Sequence, residues 1–492
     1  MIKFTIEFKK WPVFIWLERS LYLRTMLHRF LLPGTSVFFA GLTIFIGYFV
    51  QRTDFQTFIS AYAAFFAGYL WLLFYPKRQF SNLQMRNLIW LGVGLRVLLL
   101  FSIPNLSDDY ARFLWDGHLT AAGIHPFLHT PVYFIEHQIL PNGITPELFA
   151  KLNSQAYYTV YPPVCQAVFA LAVWSFPDSI LGGVFILKLF LLICEIGTIR
   201  LLGGMDHQAA KTSQHHWISQ LSSRAGFNLG ASKSTLLYAL NPLLILEITG
   251  NCHFEGAMIF FLFAGIVALQ KGNLSKGALY WALATASKML PIMVLPILWR
   301  WLGFWKGLRF IAIFTGISLL LFAPLLAVLP NILDSLDLYF RKFQFNASIY
   351  YLVREIGFSK IGWDIGAFSG PVLGGITLLG VLIIAGRTEP FTKNGSLKPL
   401  STSILFALFL YLLLSATVQP WYLAVPLAFS FHTHWRFMMI WSGLVACSYS
   451  HYNNGGFREN FAWIILEYSL LAGYFLFEIW RRYKQKPASN SA

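Results

Sequence analysis

The sequence predicts an all-α integral membrane protein, a polytopic helical bundle of about 12–14 transmembrane helices. Apolar residues make up 57% of the 492 positions and charged residues 12%, against about 25% charge in a soluble domain. The apolar residues gather into runs near the ~20 residues that a helix needs to cross a bilayer, separated by short polar gaps. Neither an internal repeat nor a large polar domain breaks this pattern.

Candidate spans lie at about residues 31–50, 57–75, 87–103, 161–176, 180–202, 234–250, 254–270, 277–301, 307–329, 371–386, 402–418, 421–431, 436–450 and 460–480. Charge orients them. Lys3, Lys9, Lys10, Arg19, Arg24 and Arg29 precede the first span, and Arg481, Arg482, Lys484 and Lys486 follow the last, so both ends read as cytoplasmic. Three crossings then put residues 104–160 outside, and counting back from the C-terminus puts 331–370 on the same face. Between these loops two topologies stay open. Full crossings at 161–176, 180–202 and 277–301 would place 203–233 outside despite Lys211, Arg224 and Lys233. Alternatively 161–176 and 277–301 are re-entrant, broken by Pro162, Pro163 and Pro291.

The remaining totals exclude classes. The net charge of +16 would point to nucleic acid on a soluble protein, but here it sits at segment ends, so no nucleic-acid partner is expected. Cys165, Cys194, Cys252 and Cys447 lie in or beside apolar runs without paired spacing, which predicts neither a disulfide framework nor a zinc site. The first thirty residues show no small-residue cleavage site, so no removed signal peptide is expected.

The segment from Asn105 to His118 follows the third span directly. Ser107 reads as the N-cap of a helix running to about Gly123, and Asp108 and Asp109 suit its positive end. Asp109, Arg112 and Asp116 then share one face, while Tyr110, Phe113 and Leu114 fit a helix lying on the membrane interface. Capping alone accounts for one acid. Two acids and an arginine on one face fit a site where a carboxylate removes a proton from a hydroxyl while a cation offsets phosphate charge.

The string SDDYARFLWDG at 107–117, GIHPF at 123–127 and YPPVCQ at 161–166 resemble the GT-C superfamily of polyprenyl-phosphate-sugar-dependent membrane glycosyltransferases. The DD..R..WDG form is similar to mannosyltransferase-type members. NPLLILEITGNCHFEGAM at 241–258 also resembles a segment of the dolichyl-phosphate-glucose transferases. The resemblance divides the chain into a cytoplasmic segment with two extra transmembrane helices (1–86), a GT-C-like catalytic core with outer loop 104–160 (87–330), and a second outer loop with the last helices (331–492). The extra helices depart from the usual pattern, which begins one helix before the acidic loop.

In that family an aspartate of the acidic motif is the proposed general base. The resemblance thus implies Asp109, with Asp108 as the alternative, as base, and Arg112, Asp116, Tyr161 and Gln166 around the substrate. Tyr161-Pro-Pro163 also suits a plain helix start. His253 and Glu255 are ionisable residues between two spans, and one His with one Glu makes no metal site. Lys288 lies midway through an apolar run, where a lysine needs an anionic partner such as a lipid phosphate, or a snorkelling path. Arg341 and Arg354 in the second outer loop are further phosphate candidates, or a solvated face. Trp421 and Tyr422 resemble an element near the lipid groove of related transferases, or an aromatic belt. Asn105 and Asn346 head glycosylation sequons on the outer loops.

The expectation is therefore an inverting transferase that moves a hexose, mannose in the mannosyltransferase-type reading, from a polyprenyl-phosphate sugar to an acceptor hydroxyl. Its partners are the lipid bilayer, the lipid-linked donor and a glycan or lipid-linked acceptor. The active site would lie on the extracytoplasmic side of a bacterial inner membrane or the endoplasmic reticulum. No cofactor is required beyond the donor substrate, and a weak divalent dependence is compatible with this chemistry. The alternative is a secondary transporter or a lipid-linked-sugar flippase. Such proteins commonly show two related halves, and no half-repeat is visible here.

Overall fold

A computed structural model describes residues 33–74, 80–212, 232–337, 343–391, 396–453 and 456–485. Among them the chain is helical throughout, and strand is confined to the hairpin of Tyr452–Asn453 with Gly456–Phe457. The main helices are α1 (Pro33–Tyr48), α2 (Phe55–Phe74), α3 (Asn82–Leu98), α4 (Asp109–Ala121), α5 (Pro163–Ser175), α6 (Ile180–Thr212), α7 (Glu255–Gln270), α8 (Leu274–Ser287), α9 (Leu295–Leu302), α10 (Phe304–Phe322), α11 (Ile349–Ile361), α12 (Gly366–Arg387), α13 (Lys398–Leu414) and α14 (Phe461–Gln485). This is an all-α polytopic membrane protein.

The spans are less uniform than the apolar runs predict. Five described helices are long and apolar enough to cross a membrane: Phe55–Leu73, Ile180–Met205, Phe304–Ser335, Phe368–Arg387 and Phe461–Lys484. A sixth arises if Pro242–Gly250 and Glu255–Gln270, bent by 110° at the break between them, count as one. Shorter apolar helices include α1, α5 and α13. Prolines explain much of the shortening, because each removes a backbone donor and crowds the preceding turn. Pro163 starts α5, and Pro291 and Pro420 sit in 3₁₀ turns.

Local chemistry sets the helix ends that matter. A capping box opens α3: Gln84 N donates to Ser81 Oγ at 3.2 Å and Ser81 N donates to Gln84 Oε1 at 3.0 Å. Helix α4 is capped at Asp108, one residue after the expected Ser107, whose hydroxyl instead accepts from Asp109 N at 3.3 Å. It ends at Ala121 ahead of Gly123, which has φ 74°. Every residue from Tyr110 to Leu119 is buried, so α4 is enclosed by protein and its apolar residues face neighbouring segments. Its tightest neighbour is α5. A methyl group at Gly117 would fall 2.4 Å from the Phe169 carbonyl oxygen, so only glycine permits this approach.

Among the described residues, charges inside the bundle are paired or held by hydrogen bonds, as low-dielectric surroundings demand. Arg96 of α3 meets Glu195 of α6 at 2.5 Å, both fully buried, and Tyr238 donates to the same carboxylate. Lys188 donates to the Leu99 and Ser102 carbonyls at 2.8 and 2.7 Å, satisfying groups just past the end of α3. The long loops also meet. Asn331 donates to the Phe127 carbonyl at 2.7 Å, and Arg52 in the α1–α2 turn reaches Asp108 at 2.6 Å, so these loops share one face of the protein.

Candidate active site

Four chain segments converge on the start of α4. The first is the α1–α2 turn, whose Arg52 pairs with Asp108. The second is the loop after α4, whose Asn153 donates to Asp108 Oδ1 at 2.7 Å and to Asp109 Oδ1 at 3.0 Å. One amide thus spans both carboxylates and holds them side by side. The third is the bend before α7, and the fourth is the 3₁₀ turn Pro420–Leu423.

The bend is an unusual piece of backbone. The π-helical turn Ile245–Gly250 ends at Asn251, and Cys252 follows at φ 64°, a left-handed conformation that few non-glycine residues adopt. His253 N donates to the Glu247 carbonyl at 3.2 Å and closes the turn. The His253 ring is thereby turned onto Trp421, with centroids 3.7 Å apart and planes 16° from parallel. Its Nδ1 faces Asp109 Oδ2 at 4.0 Å and its Nε2 faces Glu247 Oε2 at 3.5 Å. Glu247 also accepts from Asn251 at 2.9 Å and from the Tyr449 hydroxyl at 2.7 Å.

Glu255 and Lys288 complete the cluster through the α7–α8 hairpin. The two helices run antiparallel, so the first residue of one comes beside the residue after the last of the other. Lys288 Nζ lies 3.1 Å from Glu255 Oε1 and 5.8 Å from the centre of the Tyr161 ring. Lys288 is not midway along a continuous helix, as the apolar run suggests. Helix α8 ends at Ser287, and Lys288 is extended at φ −157° and ψ 136°. Pro291 explains the break: it offers no N–H to the Ser287 carbonyl, which instead accepts from Cys165 Sγ at 3.1 Å. The lysine's partner in this structure is Glu255.

In this group Asp109 and Lys288 keep 20% and 25% of their side-chain surface accessible, whereas His253, Glu247 and Glu255 keep 2 to 3%. A ligand would therefore meet Asp109 and Lys288 first. Burial pushes the Asp109 carboxyl up from its ordinary value and the Asp108 charge adds to this, while Asn153 and Lys288 offset part of the rise. Among the described residues, no group of three or more His, Cys, Asp or Glu side chains is disposed to hold a metal ion.

Other expected site residues have partners of their own. Arg112 donates to Asp116 at 2.7 Å and to the carbonyls of Ser154 and Tyr157 at 3.1 and 2.9 Å. Asp116 in turn accepts from Thr159 and from Gln166 at 3.0 Å. These buried groups tie α4 to the loop after it and to α5. Tyr161 packs edge-on against Phe113, with centroids 4.8 Å apart. Tyr422 lies edge-on to Trp421. Arg354 belongs to a separate cluster, with Glu459 at 2.8 Å, Glu355 at 3.1 Å and the Tyr351 ring beneath it. Arg341 lies outside the described residues. Asn346 is fully buried and donates to Glu467, which excludes it as a glycosylation site in this fold.

Sequence reasoning passed over Arg52, Asn153, Glu247 and Tyr449. Glu247 carried a signal, since it is an acid inside an apolar run, the same criterion that picks out Lys288. Arg52 and Asn153 are ordinary loop residues whose partners are more than forty positions away.

The comparisons with known proteins bear on the same half of the chain. No solved structure matches. Alpha-(1->6)-mannopyranosyltransferase A of Mycobacterium tuberculosis is 26% identical over 273 residues, covering 50% of this chain and 48% of that protein. The chain thus spans about half the length of the curated relative it matches. The family described as alpha-(1->6)-mannopyranosyltransferase, N-terminal domain, matches residues 40–303, which contain Arg52, both aspartates, the strained bend and Lys288. By that match over more than half its length, the chain belongs to the alpha-(1->6)-mannopyranosyltransferase family.

Proposed function

We propose that the protein is a membrane mannosyltransferase that moves mannose from a polyprenyl-phosphate sugar to an acceptor hydroxyl on the extracytoplasmic side, with inversion at the anomeric carbon. The carrying observation is that Asp109, accessible and raised in pKa, lies in one cluster with the accessible cation Lys288. Asp109 takes the proton of the acceptor hydroxyl as its oxygen attacks the anomeric carbon. The bond from that carbon to the phosphate oxygen breaks, and the lipid phosphate leaves with the extra negative charge. Lys288 turns from Glu255 towards that phosphate, and the attraction grows as the charge develops. Trp421, already stacked on His253, offers an apolar face beside the reacting sugar.

The relative's name supplies the sugar and suggests an α-(1→6) product. The donor class rests on the membrane setting and on an accessible cation, Lys288, suited to a monophosphate. The test is transfer by purified protein from radiolabelled polyprenyl-phosphate mannose, with GDP-mannose and polyprenyl-phosphate glucose as controls. Asp109→Asn should lower turnover by about 10²–10⁴ and Asp108→Asn by less. Equal activity from GDP-mannose would refute the lipid donor, and full activity in Asp109→Asn would refute the base.

A further inference from the structure

We propose that Asp109, His253 and Glu247 form a proton exit path, in which the His253 imidazole carries the acceptor's proton from Asp109 to Glu247. This rests on the reading of Asp109 as base and extends it to the recovery of that base after transfer. A base that has taken a proton must lose it before the next turnover, and bound substrates cover the fifth of the Asp109 side chain that is otherwise accessible.

The geometry supplies an outlet. His253 is held between two carboxylates, Nδ1 towards Asp109 at 4.0 Å and Nε2 towards Glu247 at 3.5 Å. The ring is 2% exposed, Nε2 is enclosed without a hydrogen bond, and Trp421 fixes the plane. The strained Cys252 and the π-helical turn before it aim the ring, and such backbone persists where the surroundings over-determine it. Glu247, beyond it, is braced by Asn251 and Tyr449.

The protons balance without any added reagent. A neutral imidazole donates from one nitrogen only. Before transfer Asp109 is ionised and His253 bears its proton on Nε2, towards an ionised Glu247. The Nδ1 lone pair then faces a carboxylate, and no hydrogen bond joins them, in keeping with the longer of the two distances. After transfer Asp109 carries the acceptor's proton and donates it to Nδ1, while the Nε2 proton passes to Glu247. Asp109 is ionised again, and the imidazole has changed tautomer without ever holding two protons. When product release admits water, Glu247 returns its proton to Nε2 and water takes the proton from Nδ1, which restores the starting tautomer and an ionised Glu247.

The test is multiple-turnover mannosyl transfer, in which recovery of the base enters the rate, from polyprenyl-phosphate mannose to a synthetic octyl α-mannoside in mixtures of light and heavy water. Two protons in flight give the wild-type protein a bowed dependence of rate on deuterium fraction. Glu247→Gln should be about ten- to a hundredfold slower, with a straight dependence and unchanged donor half-saturation. Glu247→Asp should regain part of the rate and the curvature. His253→Asn provides the same straight-line test if Glu247→Gln does not fold. A straight wild-type dependence, or a Glu247→Gln protein as fast as wild type, overturns the path while Asp109→Asn remains inactive. An active Asp109→Asn protein instead removes the base on which the path rests.

Discussion

Asp108 and Asp109 are neighbours of the same chemical type, and their surroundings separate their roles. Asp108 holds Arg52 and Asn153, whereas Asp109 shares only Asn153 and turns its other oxygen to His253. Only ionised Asp109 is a base, so transfer should fade as pH falls through a pKa raised from the ordinary aspartate value by burial and by the Asp108 charge. In Arg52→Met the Asp108 charge is uncompensated and repels a second charge on Asp109. The acidic limb of the kcat/KM profile should move to still higher pH, and Arg52→Lys should restore part of it. An unmoved limb would mean that Arg52 only ties the loops together. Asp116 is an acid of another kind. Asp116→Ala strands Arg112 in a buried site, at about 3–5 kcal/mol, which should appear as a large fall in Tm in detergent. Asp109→Asn should leave Tm near wild type, and an equal loss in both would erase the distinction.

At the scale of elements, the α7–α8 hairpin and the bend before it place most of the chemistry. The hairpin brings Glu255 and Lys288 together from opposite ends of two helices. Lys288→Met should raise the donor half-saturation about tenfold and Lys288→Arg should recover part of it, with acceptor half-saturation little changed. Unchanged donor kinetics would leave Lys288 as the partner of Glu255 alone. These elements also mark how far the sequence could be read. A lysine in an apolar run is anomalous on any count, and an acidic helix start is visible from capping preferences, so Lys288 and the aspartates were legible. The ion pair was not, because it depends on where α8 stops, and that depends on the Pro291 break. Arg112 and Asp116 were rightly set on one face of α4. Their engagement was hidden because Thr159 and Gln166 come from beyond a loop of some forty residues.

For the whole molecule, the contacts of Arg52 with Asp108 and of Asn331 with the Phe127 carbonyl gather the acidic site and both long loops on one face. Single cysteines at Asn142 and Lys360, in a background without the four buried native cysteines, should react together with an impermeant thiol reagent from outside intact cells. Cysteines at Lys271 and Lys484 should react only after permeabilisation. The reverse pattern would put the site on the cytoplasmic face. Composition made the membrane class plain because it sums over hundreds of positions. Five described helices are long and apolar enough to cross, or six with the bent pair, and several apolar runs become shorter helices because hydropathy does not register a 110° bend or a proline break.

The Arg96–Glu195 pair carries a consequence for biosynthesis. The arginine emerges from the ribosome about a hundred residues before its acid. Until α6 is made, α3 has an unmatched cation that a lipid environment rejects. Helix α3 must therefore wait at the translocon or the headgroup region, and it settles only as a unit with α6. Membrane insertion of this half is then a joint event, not a sequence of independent helices. A Glu195→Gln chain should show its defect in newly made protein, as slow integration and early proteolysis, before any defect in catalysis can be measured.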